Sequence, residues 1–391
     1  MDLFSGDVGS ETRRFGPLDL LVIQPTPFCN LDCDYCYLPF RQSRQRIQPG
    51  TLAKIFERVF ESSVVKGPFT VVWHAGEPLV LPVAFYSEAF KIIADLNRNE
   101  VQVDHSLQTN GTLITPEWCR FIADTGLRIG VSVDGPAFLH DAHRKTRTGR
   151  GTHANVIRGI RQLQDYGISF HVITVLTREA LAFPEKMFEF FRDHRIYRIG
   201  FNVEEIEGPH RSSSLQGEEV YGEYVEFMSR FYDYVQASDE PFAIRKFDSV
   251  LGSILRGEGR RGLPHQIVPM AIISIDCEGN FSTFSPELLG LQSDEFGGFT
   301  FGNVYRNSLE DIFRDSQFLR IHAEIMRGVE KCYKSCPYFG FCGGGAPVNK
   351  LFENGSFNST ETLFCRMSIQ AVVDVVVSKL EERLASTGSE A

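Results

Sequence analysis

PFCNLDCDYCYLP, residues 27–39, sets Cys29, Cys33 and Cys36 at C-x3-C-x2-C spacing directly after an apolar run, LDLLVIQPTP (18–27), that reads as a strand. Thiolates are soft ligands that suit iron–sulfur clusters or zinc. Three neighbouring thiolates hold three irons of a [4Fe–4S] cube and leave the fourth iron without a protein ligand, which is what a chelating cosubstrate needs. A structural zinc site wants four ligands. No fourth cysteine stands nearby, so zinc would need His74 or a distant cysteine to complete its tetrahedron.

Outward from this loop the chain alternates apolar strand-like runs with amphipathic stretches. Strands are expected at 18–27, 69–74, 101–109, 128–134, 169–177 and 197–205, and helices at 51–65, 83–97, 115–125, 153–166, 184–194 and 218–235. Leu52, Ile55, Phe56, Val59 and Phe60 mark one helical face. Thr115 before Pro116 reads as an N-cap with Pro at the first helical position. Six βα units imply an α/β fold with a parallel sheet, because each crossover helix returns the chain in the same direction. Six are too few for a closed eight-stranded barrel, so the expected architecture is an open six-unit (β/α)6 partial TIM barrel over 18–235. Residues 1–17 precede it. The cysteine loop, His74 to Pro78, Thr109-Asn110-Gly111 and Ser132 to Gly135 all fall where strands end, the usual place for a barrel-type active site.

Residues 236–271 read as a Gly- and Arg-rich connector, in which Arg256, Arg260 and Arg261 would suit an acidic partner segment, although a solvated loop accounts for them as well. A smaller C-terminal module, 272–391, begins with a hairpin pattern, ISIDCEGNFSTF, and closes with an amphipathic helix over 366–385. It carries Cys332, Cys336, Cys342 and Cys365. Four thiolates fill either an iron–sulfur cube or a zinc tetrahedron, and spacing alone does not choose.

A chain of 391 residues with nine cysteines and a formal charge of −10 is ordinary globular material. The odd cysteine number argues against a disulfide framework, and seven of the nine lie in the two clusters, leaving Cys119 and Cys277. Net negative charge argues against a general nucleic-acid binder. The basic run Arg41–Arg46 reads as a solvated loop. No membrane-length apolar run and no signal-peptide core are present, so the expected location is cytoplasmic.

The loop at 29–36, with Tyr35 before its last cysteine, resembles the signature of the radical S-adenosylmethionine (SAM) superfamily, and later motifs follow in that family's order. Gly76-Glu77-Pro78 is similar to the end of the family's Gly-Gly-Glu-Pro strand terminus, which receives the SAM amino group; Ala75 replaces the first Gly, a mild change by size. Ser132 and Asp134 resemble residues near the SAM ribose, and Arg144 one that meets the SAM carboxylate. Asn110 and Leu176 are further cosubstrate positions by the same resemblance. KCYKSCPYFGFCGGGAPVNK (331–350) and FGNVYRNSLEDIFRDSQF (301–318) are similar to the SPASM extension of radical SAM enzymes that modify peptides. The full extension carries two auxiliary clusters. Here Ala346 and Phe284 stand at two cysteine positions of the first, and no cysteine lies just upstream of Cys277. The resemblance therefore implies two [4Fe–4S] clusters in all, one binding SAM and one auxiliary on Cys332, Cys336, Cys342 and Cys365. Cys277 reads as a small buried apolar residue, the alternative being a cluster or substrate role, such as the hydrogen donor of an epimerase.

FSTFSPELLG (281–290) and CGGGAPVNKLFENGSFNSTET (342–362) resemble the cyclophane-forming maturases of ribosomal peptides, including those acting on glycine-rich repeat precursors. The resemblance implies a ribosomally made precursor peptide as partner, a flavodoxin or ferredoxin as electron donor, and a crosslink from an aromatic ring to the β-carbon of a residue two positions downstream. Sulfatase-type maturases place an Asp, as base, after the hairpin cysteine; here Phe284-Ser285 supplies neither group. Thioether formation, epimerisation and a zinc-binding interaction module are the other readings.

Overall fold

The computed structural model describes residues 15–257 and 263–388. Most of the 1–17 segment, and Arg260 and Arg261 of the connector, lie outside the described residues. Six strands appear close to the expected places: β1 (Leu20–Ile23), β2 (Phe69–Trp73), β3 (Val103–Thr109), β4 (Arg128–Ser132), β5 (Phe170–Leu176) and β6 (Arg198–Val203). They pair in parallel in sequence order, with Leu21 opposite Val71 and Leu107 opposite Ile129. In β2, Phe69, Val71 and Trp73 are buried and Thr70 and Val72 half-buried, so one face packs on helices. The crossover helices match expectation, from Pro49–Glu61 to Glu218–Ala237. Thr115 caps Pro116–Thr125 by accepting the Trp118 N–H at 3.4 Å. The short helices Ala137–His143 and Arg178–Leu181 were not anticipated.

Two expectations need correction. The connector is not mainly loop: it holds a strand, β7 (Ala243–Ile244), and a helix, Arg245–Leu255. Phe247 and Val250 of that helix are buried and Leu251 and Ile254 pack beside them, a one-face pattern that the surrounding Gly and Arg obscured. Nor does the C-terminal module stand apart from the first sheet. Its hairpin, β8 (Ile272–Ile275) and β9 (Asn280–Thr283), pairs through β8 in parallel with β1, Leu21 opposite Ile273. A small ribbon, β10 (Gln292–Ser293) with β11 (Gly297–Gly298), stands aside, and β12 (Gly302–Asn303) pairs with β9. One sheet of ten strands results, ordered β12-β9-β8-β1-β2-β3-β4-β5-β6-β7.

This places the C-terminal segment directly against the cysteine loop that follows β1. The helix Ser316–Ser335 packs Phe318 on Phe284, rings stacked with centroids 5.7 Å apart. The closing segment is a π turn, Arg366–Ala371, leading into Val372–Gly388. It is tied to Glu218–Ala237 by Arg366–Glu218 at 3.0 Å and Lys379–Asp233 at 2.7 Å. Among the described residues no helix is long and apolar enough to cross a membrane.

Candidate active site

The C-terminal ends of β3 to β6 and the cysteine loop surround a cavity of about 190 Å³. Cys29, Cys33 and Cys36 line it together with Tyr35, Gly76, Glu77, Asn110, Ser132 and Arg144. Of the eleven strand-end and signature residues named from the sequence, ten are therefore brought to one site or its wall, counting Asp134, which stands behind Arg144. Leu176 is wholly buried and does not line the cavity; its neighbour Val175 does.

Hydrogen bonds fix the loop. Arg147 donates to the Cys29 carbonyl at 2.9 Å and Arg41 to that of Cys33 at 3.3 Å. Arg41 also pairs with Asp32 at 3.0 Å, and Arg44 lies over the Phe28 ring. Arg41 is thus a clamp on the cysteine loop, while Arg44 and Arg46 of the same basic run stay exposed as a solvated stretch would. Asn110 Nδ2 donates to Asn30 Oδ1 at 2.8 Å and approaches Cys29 Sγ at 3.8 Å, while its Oδ1 accepts from Thr112. Glu77 is 1% exposed and accepts from Thr109 Oγ1 (2.6 Å), Asn110 N (2.8 Å) and Leu79 N (3.0 Å). Burial pushes its carboxyl up to about 7.

Asp134 holds Arg144 in a two-point pair, Nε to Oδ2 at 2.8 Å and Nη2 to Oδ1 at 3.1 Å. Tyr35 and the Val175 N–H also donate to it, and the Arg144 guanidinium stands over the Tyr35 ring. Burial alone would raise the Asp134 carboxyl, but Arg144 outweighs it and holds the group below its ordinary range. Burial, then the Glu77 charge, pushes the Cys29 thiol up to about 12; burial pushes Cys33 to about 11 against the pull of Arg144. Thiolates here need a cationic partner, so metal binding must release protons.

A second cavity, about 400 Å³, is lined by Cys332, Cys336, Cys342 and Cys365 together. Cys332 closes the helix Ser316–Ser335, Cys336 caps it, and Cys342 ends a short turn, Phe339–Cys342. Gly343, Gly344 and Gly345 all have positive φ, and the N–H groups of Gly344 and Gly345 turn toward the Cys342 sulfur. Buried Lys350 donates to Cys332 Sγ at 3.3 Å. Ala346 lines this cavity, whereas Phe284 is sealed in the core.

Among the described residues no three His, Cys, Asp or Glu converge as ligands of a single ion. Sulfurs on one zinc stand about 3.8 Å apart; thiolates on separate corners of a cube stand farther apart. Three thiols beside an open polar wall suit a cube with one vacant corner, and four suit a closed one. Sequence reasoning passed over Tyr37, Gln108, Asn202, Glu204 and Glu205, which also line the first cavity. Glu204 and Glu205 follow the end of β6, so the strand-end rule applied one strand further would have found them.

A sequence profile of the Radical SAM superfamily matches residues 23–191. Residues 23–191 form a radical SAM domain. That match takes in the three cysteines of the first cavity and stops before its Asn202–Glu205 wall and before the second cavity. An uncharacterised protein of Synechocystis sp. is 47% identical over 378 residues, 96% of this chain and 95% of its own. The serine-type anaerobic sulfatase-maturating enzyme of Bacteroides thetaiotaomicron is 26% identical over 356 residues, 86% and 84% of the two chains. Among solved structures, anSMEcpe with bound AdoMet is similar with a TM-score of 0.74 at 22% identity, over 93% of this chain and 98% of that one. SuiB of Streptococcus suis bound to its precursor peptide SuiA gives 0.61 at 16%, over 90% and 76%. At such identities the likeness is one of fold.

Proposed function

We propose that this radical SAM protein oxidises a ribosomally made precursor peptide, joining an aromatic ring to the β-carbon of a residue two positions downstream. In this reading 18–235 is the open (β/α)6 partial barrel and 272–391 a reduced SPASM-like module. Cys29, Cys33 and Cys36 would hold the SAM-binding [4Fe–4S] cluster, and Cys332, Cys336, Cys342 and Cys365 an auxiliary one. Tyr35, Gly76, Glu77, Asn110, Ser132, Asp134, Arg144 and Leu176 form or back the cosubstrate wall, and reduced flavodoxin or ferredoxin supplies electrons in the cytoplasm. When bound, the cluster and SAM supply a 5′-deoxyadenosyl radical that removes hydrogen from carbon.

The observation that carries the proposal is the presence of two separate cysteine-lined cavities, one with three thiols and one with four. The similarity to peptide-bound SuiB and to sulfatase maturases supports a peptide as substrate. The chain's own part is to hold the cysteine loop rigid through Arg41, Arg147 and Asn110, and to keep water from the reacting carbon.

The test is anaerobic incubation of reconstituted protein with SAM, reductant and an aromatic-containing precursor. The expected product is a peptide lighter by two hydrogens, with 5′-deoxyadenosine released. Cys29→Ala should abolish both; Cys365→Ala should retain 5′-deoxyadenosine and lose the crosslink. No mass loss with any aromatic precursor would sink the proposal.

A second reading, oxidation of a Cys or Ser to formylglycine, is favoured by the sulfatase-maturating relatives. Against it, Phe284 is wholly buried on Phe318 and Ser285 brings no carboxylate. An aldehyde-reactive probe on a sulfatase peptide separates the two. Thioether formation and epimerisation are read in the same assay. Brown protein absorbing near 400 nm would exclude the zinc module, and colourless protein holding zinc would favour it.

A further inference from the structure

Beside the three-cysteine cavity lies another, of about 340 Å³, and Leu38 lines both. Val22, Phe40, Ile275 and Leu289 give it apolar walls, no Lys or Arg lines it, and Glu287 is one of its few carboxyls. Ser274, 2% exposed, also lines it, and its hydroxyl has no hydrogen-bond partner. A buried hydroxyl left open in an apolar chamber points to a polar group that arrives with a ligand. A peptide fits this description: aromatic side chain on the walls, backbone amide at the hydroxyl.

Three carboxyls gather where the cavities meet. Glu205 lines the cysteine cavity and Glu287 the apolar one; Glu207 is buried against Glu205. Asn349 Nδ2 donates to Glu205 Oε2 at 2.9 Å and to Glu207 Oε1 at 3.1 Å, and its own Oδ1 is buried without a partner. Sharing the Asn349 donor brings the two carboxyls close together, and close buried carboxyls favour holding one proton between them. Tyr37 and Ser285 both donate to Glu287. Lys246 faces Glu205 from the helix Arg245–Leu255.

We propose that Glu287 is the proton acceptor of the reaction, with the Glu205–Glu207 pair and Asn349 as positioning groups that hold a neighbouring proton. The proposal rests on the peptide-oxidation reading. After the β-carbon radical adds to the ring, the C–H bond at the attacked ring carbon breaks. Its electron pair stays with the ring, and the proton passes to the Glu287 carboxylate, giving a neutral acid. The electron then in excess on the ring leaves to a one-electron acceptor of the iron–sulfur class. Glu287 suits the role better than Glu205 for two reasons. It faces the apolar chamber that would take an aromatic ring, and its partners Tyr37 and Ser285 donate protons to it, which favours the ionised form. The Glu205–Glu207 pair, two carboxyls on one donor, favours keeping a proton instead. Burial raises all three carboxyls, and the charge of Glu205 raises Glu207 further.

Glu287→Gln keeps the shape and cannot take the proton. Crosslinked product is expected to fall about 100-fold or more, while peptide-dependent 5′-deoxyadenosine release stays within about threefold of wild type. Glu287→Asp should recover part of the product. Full product formation by Glu287→Gln, or equal loss of product and 5′-deoxyadenosine, overturns the assignment. Infrared spectra in H2O and D2O read the shared proton without turnover. The D2O-sensitive C=O stretch of a protonated carboxyl should weaken in Glu207→Gln and persist in Glu287→Gln; the reverse pattern overturns the arrangement. Failure of the underlying reading shows instead in wild-type enzyme, as 5′-deoxyadenosine without a peptide lighter by two hydrogens, and the proposal falls with it.

Discussion

Ala75 and Gly76 stand side by side at the end of β2 with φ of +66° and +108°, and substitutions at the two should move stability in opposite directions. A Cβ on Gly76 would sit 2.2 Å from the Thr26 carbonyl oxygen and 3.0 Å from that of Phe28. The Glu77 N–H donates to the Phe28 carbonyl at 2.8 Å across the same gap. Gly76→Ala must therefore push the strand end away from the cysteine loop. It costs about 1–2 kcal/mol for a side chain at positive φ and about 1 kcal/mol for the strained hydrogen bond, so roughly 2–3 kcal/mol in all. Ala75 already bears the left-handed penalty, so its replacement of the family's Gly is not mild in backbone terms. Ala75→Gly relieves about 1–2 kcal/mol and returns about 0.4–1 kcal/mol through a looser unfolded chain, a net gain of roughly 0.5–1 kcal/mol. Denaturant unfolding of the reduced, metal-free protein, followed by circular dichroism, measures both. Gly76→Ala within about 0.5 kcal/mol of wild type, or Ala75→Gly less stable than wild type, would refute the reasoning.

Asp134→Asn leaves the Arg144 guanidinium buried and uncompensated, and should cost about 3–5 kcal/mol; unfolding that shows under about 1 kcal/mol would place the pair in water instead. His140 is wholly buried, accepts the Asp134 N–H at Nδ1 and bonds Thr152 through Nε2, and burial lowers it from the ordinary 6.5 to about 4. The unfolded chain binds this proton more readily, so stability is complete above pH 6.5 and is lost as pH falls toward 4, by about 3 kcal/mol at most; His140→Gln should flatten that slope, and an unchanged slope would assign the loss elsewhere. Phe284→Ala empties a fully buried ring site against Phe318 and should cost about 3–5 kcal/mol, read from the same unfolding curves. Lys350→Met removes the donor to Cys332 Sγ and should weaken metal retention in the second cavity about 10–100-fold, seen as faster bleaching by a chelator; bleaching at the wild-type rate would show that the lysine only packs.

Local pattern carried the six parallel strands and their helices, because side-chain period and caps such as Thr115 are properties of short windows. Both cysteine groups were legible for the same reason, as spacing within a loop. What stayed hidden depends on partners far away in the chain. Nothing in IISI announces that Ile272–Ile275 will lie beside Leu20–Ile23, since a buried strand reads alike beside any neighbour. The helix Arg245–Leu255 was lost among glycines and arginines. The acidic cluster of Glu205, Glu207 and Glu287 draws its members from β6 and the β9 end, and only β8 pairing with β1 brings those segments together.

Hydrogen-bond capacity separates residues that motif matching treats alike. A carboxylate offers about four acceptor positions. Asp134 spends four, on Arg144 twice, Tyr35 and Val175, and has none left for a ribose hydroxyl. Its work is to aim Arg144, which gives two of its five N–H groups to Asp134. Glu77 spends three, two on Oε1 and one on Oε2, so one position at Oε2 stays open to an incoming ammonium. Asn110 is spent on Asn30 and Thr112 and works by anchoring the cysteine loop. An amino acid cosubstrate presents an ammonium and a carboxylate together, and Glu77 with Arg144 is one pair on this wall with capacity of both signs. Under the proposed function, substituting either should weaken SAM binding directly, whereas Asp134→Asn should weaken it only as far as Arg144 loses its aim.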